Sequence, residues 1–594
     1  MDDAEISYRQ KLGRQSKTLK AAVAEYRRRY KRYPPKGFDE WFAFAQANDF
    51  KMFDEFDGMM GDLEPFWSLN GEEIRRRTTQ IAEIPGVDLV TVFDGNATAH
   101  TIQVKNAAGR LPSERANHFI MMMEPFLATL PDMQFAISTK SESRIIVPWE
   151  SIEYPNTTVQ NSEWGLQAVL GGKFIESWNG EGSVWDAFRR SCPPGSSARR
   201  LFGSIRGQSQ TAQSLNLLRL EDAEGLLDPS RVGLVENPTE SSDFCNKPSG
   251  RYLQGHFFSD YRTINALYPI FSPAKGEGFN DIVIPSHYYY GETKRYTYGR
   301  DPVYHIVKET DNYEMDWEGK ENKIFWRGAS TGGGSSPPGF LHQYQRHRLV
   351  RVSSSSTTEN TTVIFPESSN ADNTKYIQAT VPAAKLNSEI FDVGFTAAIG
   401  CDLYHSPHAN ADTPPELAGG CDVMEEDLRF TDAVQLSDHW KYKYLIDLDG
   451  MGYSAHFLAF MASESAVLKS TVYREFFSDW IQPWLHYIPV SQTYNDLYNI
   501  HAYFSGPSHS VLSVARNVYT NLTAPLPPPD GTSTSSSMLG EHEGDRRLRQ
   551  IARAGRHWKK TQTRRVDQEI YVYRLCLEWA RLWSDERDSM VYRG

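Results

Sequence analysis

Long apolar runs are missing from this 594-residue chain: none approaches the roughly 18–20 residues a membrane span needs, and the opening residues MDDAEISYRQKLGRQSK lack the apolar centre of a secretory signal. It reads as a soluble chain with neither span nor anchor. Positive charge is also in deficit. Sixty-three Lys and Arg against 75 Asp and Glu leave a net charge of −12, which argues against nucleic acid as the main partner, because such binders present a positive field to phosphate. The Arg27-Arg28-Arg29 run fits a solvated helix face. Cysteine is scarce: Cys192, Cys245, Cys401, Cys421 and Cys576 include no close pair, which excludes a zinc pattern. Two disulfides with one free thiol, or five buried thiols, fit that count equally well. Sequons at Asn96, Asn156, Asn360 and Asn521 occur at about the chance rate and locate nothing.

What is present is enough apolar material, 40% of residues, for two or three cores, since single cores stop growing at roughly 250–300 residues. Residues 18–33, TLKAAVAEYRRRYKRY, have helical apolar spacing and stop at Pro34-Pro35; a second helical stretch, 39–67, is rich in Phe and Trp. A helical preamble over 1–80 follows. From Val87 the texture changes to strand (VDLVTVF), helix (114–130) and strand (MQFAIST, SRIIVPW), and the alternation returns at 323–329, 390–399, 441–448, 466–471 and 486–490. This predicts an α/β protein of βαβ units with mostly parallel sheets, in two facing domains over 81–310 and 311–515, separated by an irregular stretch between about 190 and 320. Residues 523–543, TAPLPPPDGTSTSSSMLGEHE, read as a disordered insertion, and 545–594 as helix docking back on the body.

Two junctions carry candidate chemistry. In KYKYLIDLDGMGYSAHFLAF (441–460) a buried strand runs through Asp447, Asp449, Gly450 and Gly452 into a helix expected from Ser454. Unpaired amides of a first helical turn suit an anion, with His456 and Lys469 as cationic donors nearby. A tight turn with Ser454 as an ordinary N-cap fits the same residues. In FWRGASTGGG (325–334) Arg327 ends a strand ahead of Gly328, Ser330, Thr331 and three glycines, a combination suited to phosphate oxygens, although neither a dinucleotide fingerprint nor a Walker loop. A flexible glycine loop is the plain alternative.

The run YKYLIDLDGMGYSAHF…SAVLKST…EFFSDWIQPWLHYIPV, with FWRGASTGG and FSPAKGEGFNDIVIPS before it, closely resembles the glycosyltransferase family 90 domain of fungal capsule-associated proteins and animal protein O-glucosyltransferases; the preamble and terminal helix resemble the fungal branch. The resemblance implies a GT-B fold of two Rossmann-like domains and an inverting, metal-independent transfer of xylose or glucose from a UDP-sugar to a glycan or glycoprotein acceptor, with no further cofactor. It implies donor contacts from Arg327, Gly328, Ser330, Thr331, Gly452, Ser454, His456, Phe457 and Glu475, the last as a ribose-hydroxyl acceptor or else a surface carboxylate. Family members work in the ER or Golgi lumen, although no leader is visible here and a cytosolic copy remains open.

Two departures stand out. His456 occupies a position where the family carries Arg, and Ser141 falls where the family carries its catalytic Asp. An inverting transfer needs a group that takes the acceptor proton, which Ser does not do alone. Adjacent Glu142 is the provisional base and Asp281 a second, acceptor-side candidate. A catalytically impaired scaffold that still binds nucleotide sugar or glycan is the alternative function, and a nucleotide-sugar hydrolase a third.

Overall fold

The computed structural model describes residues 1–101, 111–153, 184–200, 234–238, 242–258, 261–290, 314–332, 341, 344–367, 376–406, 412–414, 419–519 and 543–594. Two five-stranded sheets organise them into a mixed α/β fold. The first has the order Asn96–His100, Val87–Phe93, Met133–Ser138, Phe271–Ser272, Ile282–Val283. It is not mostly parallel as expected: Val87–Phe93 runs antiparallel to both neighbours, and only the last three strands are parallel. The cause is local. Asp94-Gly95, both with positive φ, closes a tight hairpin, and an Asp-Gly pair between strands is a strong signal for that turn. The SRIIVPW segment forms no strand and makes only a bridge from Ile145 to Ile264, whereas the stretch read as irregular supplies the Phe271–Ser272 and Ile282–Val283 strands.

The second sheet is wholly parallel, in the order Phe391–Ala397, Glu321–Ala329, Tyr442–Leu448, Ala466–Ser470, Ile488–Pro489. Both its faces are buried, which explains why its strands read as near-continuous apolar runs. Strand alternation divides them between two cores: Ile324, Trp326, Tyr444, Ile446 and Leu468 join one, while Phe325, Leu445 and Val467 join the core that also holds the first sheet and the N-terminal helices.

The helix Leu19–Tyr30 is capped by Thr18, whose Oγ1 accepts from Ala21 N at 3.2 Å. The single stretch expected over 39–67 is broken into Phe38–Ala47, Asp57–Leu63 and the 3₁₀ turn Glu64–Ser68. The C-terminal run forms two helices, Glu543–Gln562 and Arg565–Trp583; the second is buried from Asp567 to Leu582 and does more than lay one apolar face on the body. Trp579 Nε1 donates to Gln134 O of the first sheet (2.9 Å), Tyr571 Oη to Val283 O (3.1 Å), and Trp41 Nε1 of the preamble to Ile570 O (3.1 Å). The insertion expected over 523–543 lies outside the described residues except for Glu543, which begins a helix. Cysteines pair as Cys192–Cys245 and Cys401–Cys421, leaving Cys576 as a buried thiol. Among the described residues no helix is long and apolar enough to cross a membrane.

Candidate active site

Strands Glu321–Ala329 and Tyr442–Leu448 lie side by side and parallel, so their following loops leave the same edge of the sheet, where α/β proteins place ligands. The loops meet. Arg346, in the helix Gln345–Val352, donates from Nη1 to Thr331 Oγ1 (2.7 Å) and Ala329 O (3.1 Å), and from Nε to Asp449 O (3.0 Å). Its neighbour Gln345 donates from Nε2 to Gly332 O (3.0 Å) and Gly450 O (2.8 Å). Two adjacent side chains thus clamp the Arg327 loop to the Asp-Gly turn. Neither was nominated from sequence, although a Gln-Arg-His-Arg run separated from the three glycines by ten residues was a readable signal.

Individual candidates within these loops fare differently. Arg327 is buried and engaged: Nη2 donates to Asp392 Oδ1 (2.8 Å), Nη1 to Asp392 O (2.9 Å), and the guanidinium lies 4.5 Å from the Phe325 ring centroid. Burial works to raise the Asp392 carboxyl, but hydrogen bonding and charge from Arg327, with Tyr442 and Arg429, hold it below the usual range. A phosphate reaching Arg327 competes with that pair. Gly328 is required for packing, since a Cβ there would sit 2.6 Å from the Trp326 ring. Ser330 exchanges hydrogen bonds with Ile399, donating to its carbonyl (3.1 Å) and accepting from its amide (2.7 Å).

The helix expected from Ser454 begins only at Phe457 and ends at Phe460. One turn carries too few aligned peptide dipoles for an N-terminal anion site, so that part of the sequence reading is corrected. Ser454 Oγ accepts from His456 N (3.4 Å), and its carbonyl accepts from Tyr289 Oη (3.2 Å). Phe457 belongs to the core, stacked on Phe477 at 5.4 Å. His456 is half-buried, stacked on Phe460 (5.4 Å) and 6.5 Å from His439. His439, not anticipated from sequence, lies beside His456 and the Phe325 ring: burial first, then His456 and Arg327, hold its pKa to about 3, so it is a neutral imidazole.

Glu475 is neither exposed nor on the surface. Its Oε2 accepts from Tyr289 Oη (2.5 Å), Oε1 lies 3.5 Å from Lys469 Nζ, and burial pushes the carboxyl up to about 7 against the lowering by Lys469 and Tyr289. Lys469 is fully enclosed, donates to Asp447 Oδ2 (2.7 Å) and sits 4.1 Å above the Phe457 ring; it serves this acidic cluster and is not a free cation for a diphosphate. Asp449 accepts from Thr471 Oγ1 (2.5 Å) and Val472 N (2.9 Å), which fixes the turn against the end of the next strand. Among the described residues, no group of three or more His, Cys, Asp or Glu could hold a metal ion.

The first-sheet side of the site is built by residues 138–144, which follow the strand Met133–Ser138. A Cβ on Gly452 would lie 2.2 Å from Ser141 O and 3.0 Å from Glu142 N, so glycine is what lets the turn of the second sheet rest on the Ser141–Glu142 peptide. Ser141 is half-buried at this contact. Glu142 points inward: its carboxylate is buried and paired with Arg144, whose guanidinium lies 3.8 Å from the Tyr261 ring centroid. Taking an acceptor proton requires breaking that pair. Asp281 is fully buried and spent on structure, accepting from Arg144 N (3.1 Å), Ile145 N (2.9 Å) and Ser272 Oγ (2.7 Å); burial pushes its carboxyl up to about 6. Those bonds use it to hold the backbone at Arg144 and Ile145.

Residues 257–506 match the model of glycosyl transferase family 90. That span includes both clamped loops but stops short of Ser141 and Glu142. A curated relative, protein O-glucosyltransferase 2 of Danio rerio, is 38% identical over 65 residues, which is 11% of this chain and 13% of that protein's length. Residues 257–506, which carry both strand-end loops joined at the carboxyl edge of the parallel sheet, are thus similar to glycosyltransferase family 90.

Proposed function

We propose that this protein is an inverting glycosyltransferase of GT-B type that moves xylose or glucose from a UDP-sugar to a glycan or glycoprotein acceptor. The observation that carries the reading is the convergence of the 327–332 and 449–456 loops, tied by Gln345 and Arg346 and resting through Gly452 on the Ser141–Glu142 peptide. In this reading the donor occupies the junction of the two sheets. Arg346 and Arg327 supply positive charge to the departing diphosphate, with His456 as a weaker donor, so no metal ion is invoked. The acceptor hydroxyl approaches from the 138–142 side. The two disulfides support an oxidising compartment such as the secretory lumen as the place of work.

Ser141 favours a second reading, a scaffold that binds nucleotide sugar and transfers it poorly. Calorimetry with UDP-glucose and UDP-xylose, followed by product analysis across xylose- and mannose-type acceptors, separates the two. The transferase reading expects binding and acceptor-dependent UDP release, with Arg346→Met weakening binding at least ~10-fold, equivalent to about 1.4 kcal/mol. Binding without release across the panel supports the scaffold, release without acceptor supports a hydrolase, and absence of binding rejects the donor site.

A further inference from the structure

A polar cluster beside Ser141 is used by nothing described so far. Arg115 and His118 lie one turn apart on the helix Glu114–Met123, and His287 and Tyr290 on the short helix His287–Tyr290. The His118 and His287 rings are stacked, with centroids 6.1 Å apart and an interplanar angle of 19°, and Tyr290 lies edge-on to His118 at 6.3 Å. Four buried polar atoms in this one place, Arg115 Nε, His118 Nδ1, His287 Nδ1 and Tyr290 Oη, have no hydrogen-bond partner among the described residues. His287 is only 6% exposed. Buried polar groups are nearly always paired, so a concentration of unpaired ones marks a place built to face something else.

Arg115 ties the cluster to the segment that carries Ser141. Arg115 Nη1 donates to Ser138 O (2.6 Å) and also bonds Lys140 O, the carbonyl directly before Ser141. From the opposite side, Gly452 rests on Ser141 O, and the next residue, Tyr453, shares a hydroxyl hydrogen bond with Ser286, next to His287. Arg115 acts electrostatically on His287, Tyr290 and Tyr453 alike. The two imidazoles differ. Burial first, then Arg115 and His118, hold the His287 pKa to about 3, so it is a neutral partner that does not compete for a proton, whereas the His118 side chain is only half-buried.

We infer that His118 is the proton acceptor of this site, positioned by His287, in the role that a carboxylate at position 141 would otherwise hold. The inference rests on the transferase reading above. The acceptor hydroxyl oxygen forms a bond to the anomeric carbon as the bond from that carbon to the β-phosphate oxygen breaks, and the bonding pair leaves with UDP. The hydroxyl proton passes to a ring nitrogen of His118, and the imidazolium returns it to solvent when the products leave. Glu142, held by Arg144, keeps its pair throughout.

The test uses the full chain and four variants, His118→Gln, His287→Phe, Ser141→Asp and the double variant His118→Gln/Ser141→Asp, with UDP-sugar binding by calorimetry as the check on folding and donor binding. His118→Gln is expected to lower kcat by about 10²–10⁴-fold with UDP-sugar affinity unchanged, the usual span for loss of a general base. The double variant is expected to regain the turnover of Ser141→Asp, because a restored carboxylate makes the imidazole unnecessary; a merely structural role for His118 would not show that rescue. His287→Phe, which keeps a ring in place, is expected to lower kcat less than His118→Gln. Unchanged turnover in His118→Gln overturns the inference. So does an inactive parent that Ser141→Asp activates, since the transferase reading then survives and no stand-in base exists. Intact UDP-sugar binding with no turnover even in Ser141→Asp overturns the transferase reading and the inference with it.

Discussion

Glu475 illustrates how much a single residue's surroundings change its chemistry. From sequence it was a ribose-hydroxyl acceptor or a surface carboxylate, and neither reading anticipated the enclosed group facing Lys469 and Tyr289. Burial works against the charge on Lys469, but Asp447 and Glu475 outweigh it and raise its pKa above the ordinary value, so the cluster keeps one fixed cation. Glu475 itself is pushed up to about 7, above its unfolded value near 4.5. Between those values the folded protein holds a proton that the unfolded chain has released, so this group's contribution to stability falls as pH rises from about 4.5 through 7 and is flat beyond. Glu475→Gln removes that dependence. The melting temperature of the variant minus that of the parent is therefore expected to rise between pH 5 and pH 8. A difference that stays level across this range would mean that Glu475 ionises like an exposed carboxylate.

At the scale of elements, the strands were legible and the pieces joining them were not. The runs 323–329, 441–448 and 466–471 correspond closely to Glu321–Ala329, Tyr442–Leu448 and Ala466–Ser470, because continuous β-rich apolar sequence survives only in a sheet buried on both faces. The helix expected after Ser454 is cut to one turn by the serines that follow Phe460: Ser463 and Ser465 turn inward, Ser465 Oγ donating to Tyr442 O (2.7 Å) and both lying within reach of Lys320 Nζ. Side-chain bonds of this kind compete with helix propagation. Gly452 is the element whose role depends on its neighbour across the junction. Gly452→Ala brings a methyl group against the Ser141 carbonyl and is expected to destabilise by about 1–3 kcal/mol, the range for overpacking. Gly13→Ala, at a helix end with nothing within 4 Å, is the control and should leave the urea midpoint unchanged. Equal midpoints for the two variants would show that the contact between turn and 138–142 segment is loose.

For the whole molecule, the cysteine count left two accounts open, and the fold decides for two disulfides and one enclosed thiol. Cys192–Cys245 and Cys401–Cys421 close segments with sequence separations of 53 and 20 residues, and cross-links of this kind typically contribute about 2–4 kcal/mol by restricting the unfolded chain. Burial raises the Cys576 thiol above its ordinary pKa, which leaves it a poor nucleophile inside the core. Iodoacetamide is expected to add nothing to the native protein and one adduct in guanidinium without reductant, as counted by intact mass. A second adduct without reductant would contradict the pairing. The same core explains the helix Arg565–Trp583, which reads as a surface-docking segment and instead runs through the centre, touching both the preamble and the first sheet.

What the sequence determined by itself was the α/β character, the parallel strands of the second sheet, the two loops at its carboxyl edge and the family they resemble, all carried by contiguous residues whose spacing or turn chemistry acts over a few positions. What only the tertiary structure decided was how those loops are occupied: the clamp by Gln345 and Arg346, the pairing of Arg327 with Asp392, the withdrawal of Glu142 and Asp281 into the interior, and the stacking of His118 on His287. These partners lie from two to nearly 170 positions apart along the chain. Whether a charge or an imidazole is free for chemistry depends on which distant groups burial brings within hydrogen-bond reach, and no local pattern encodes that distance.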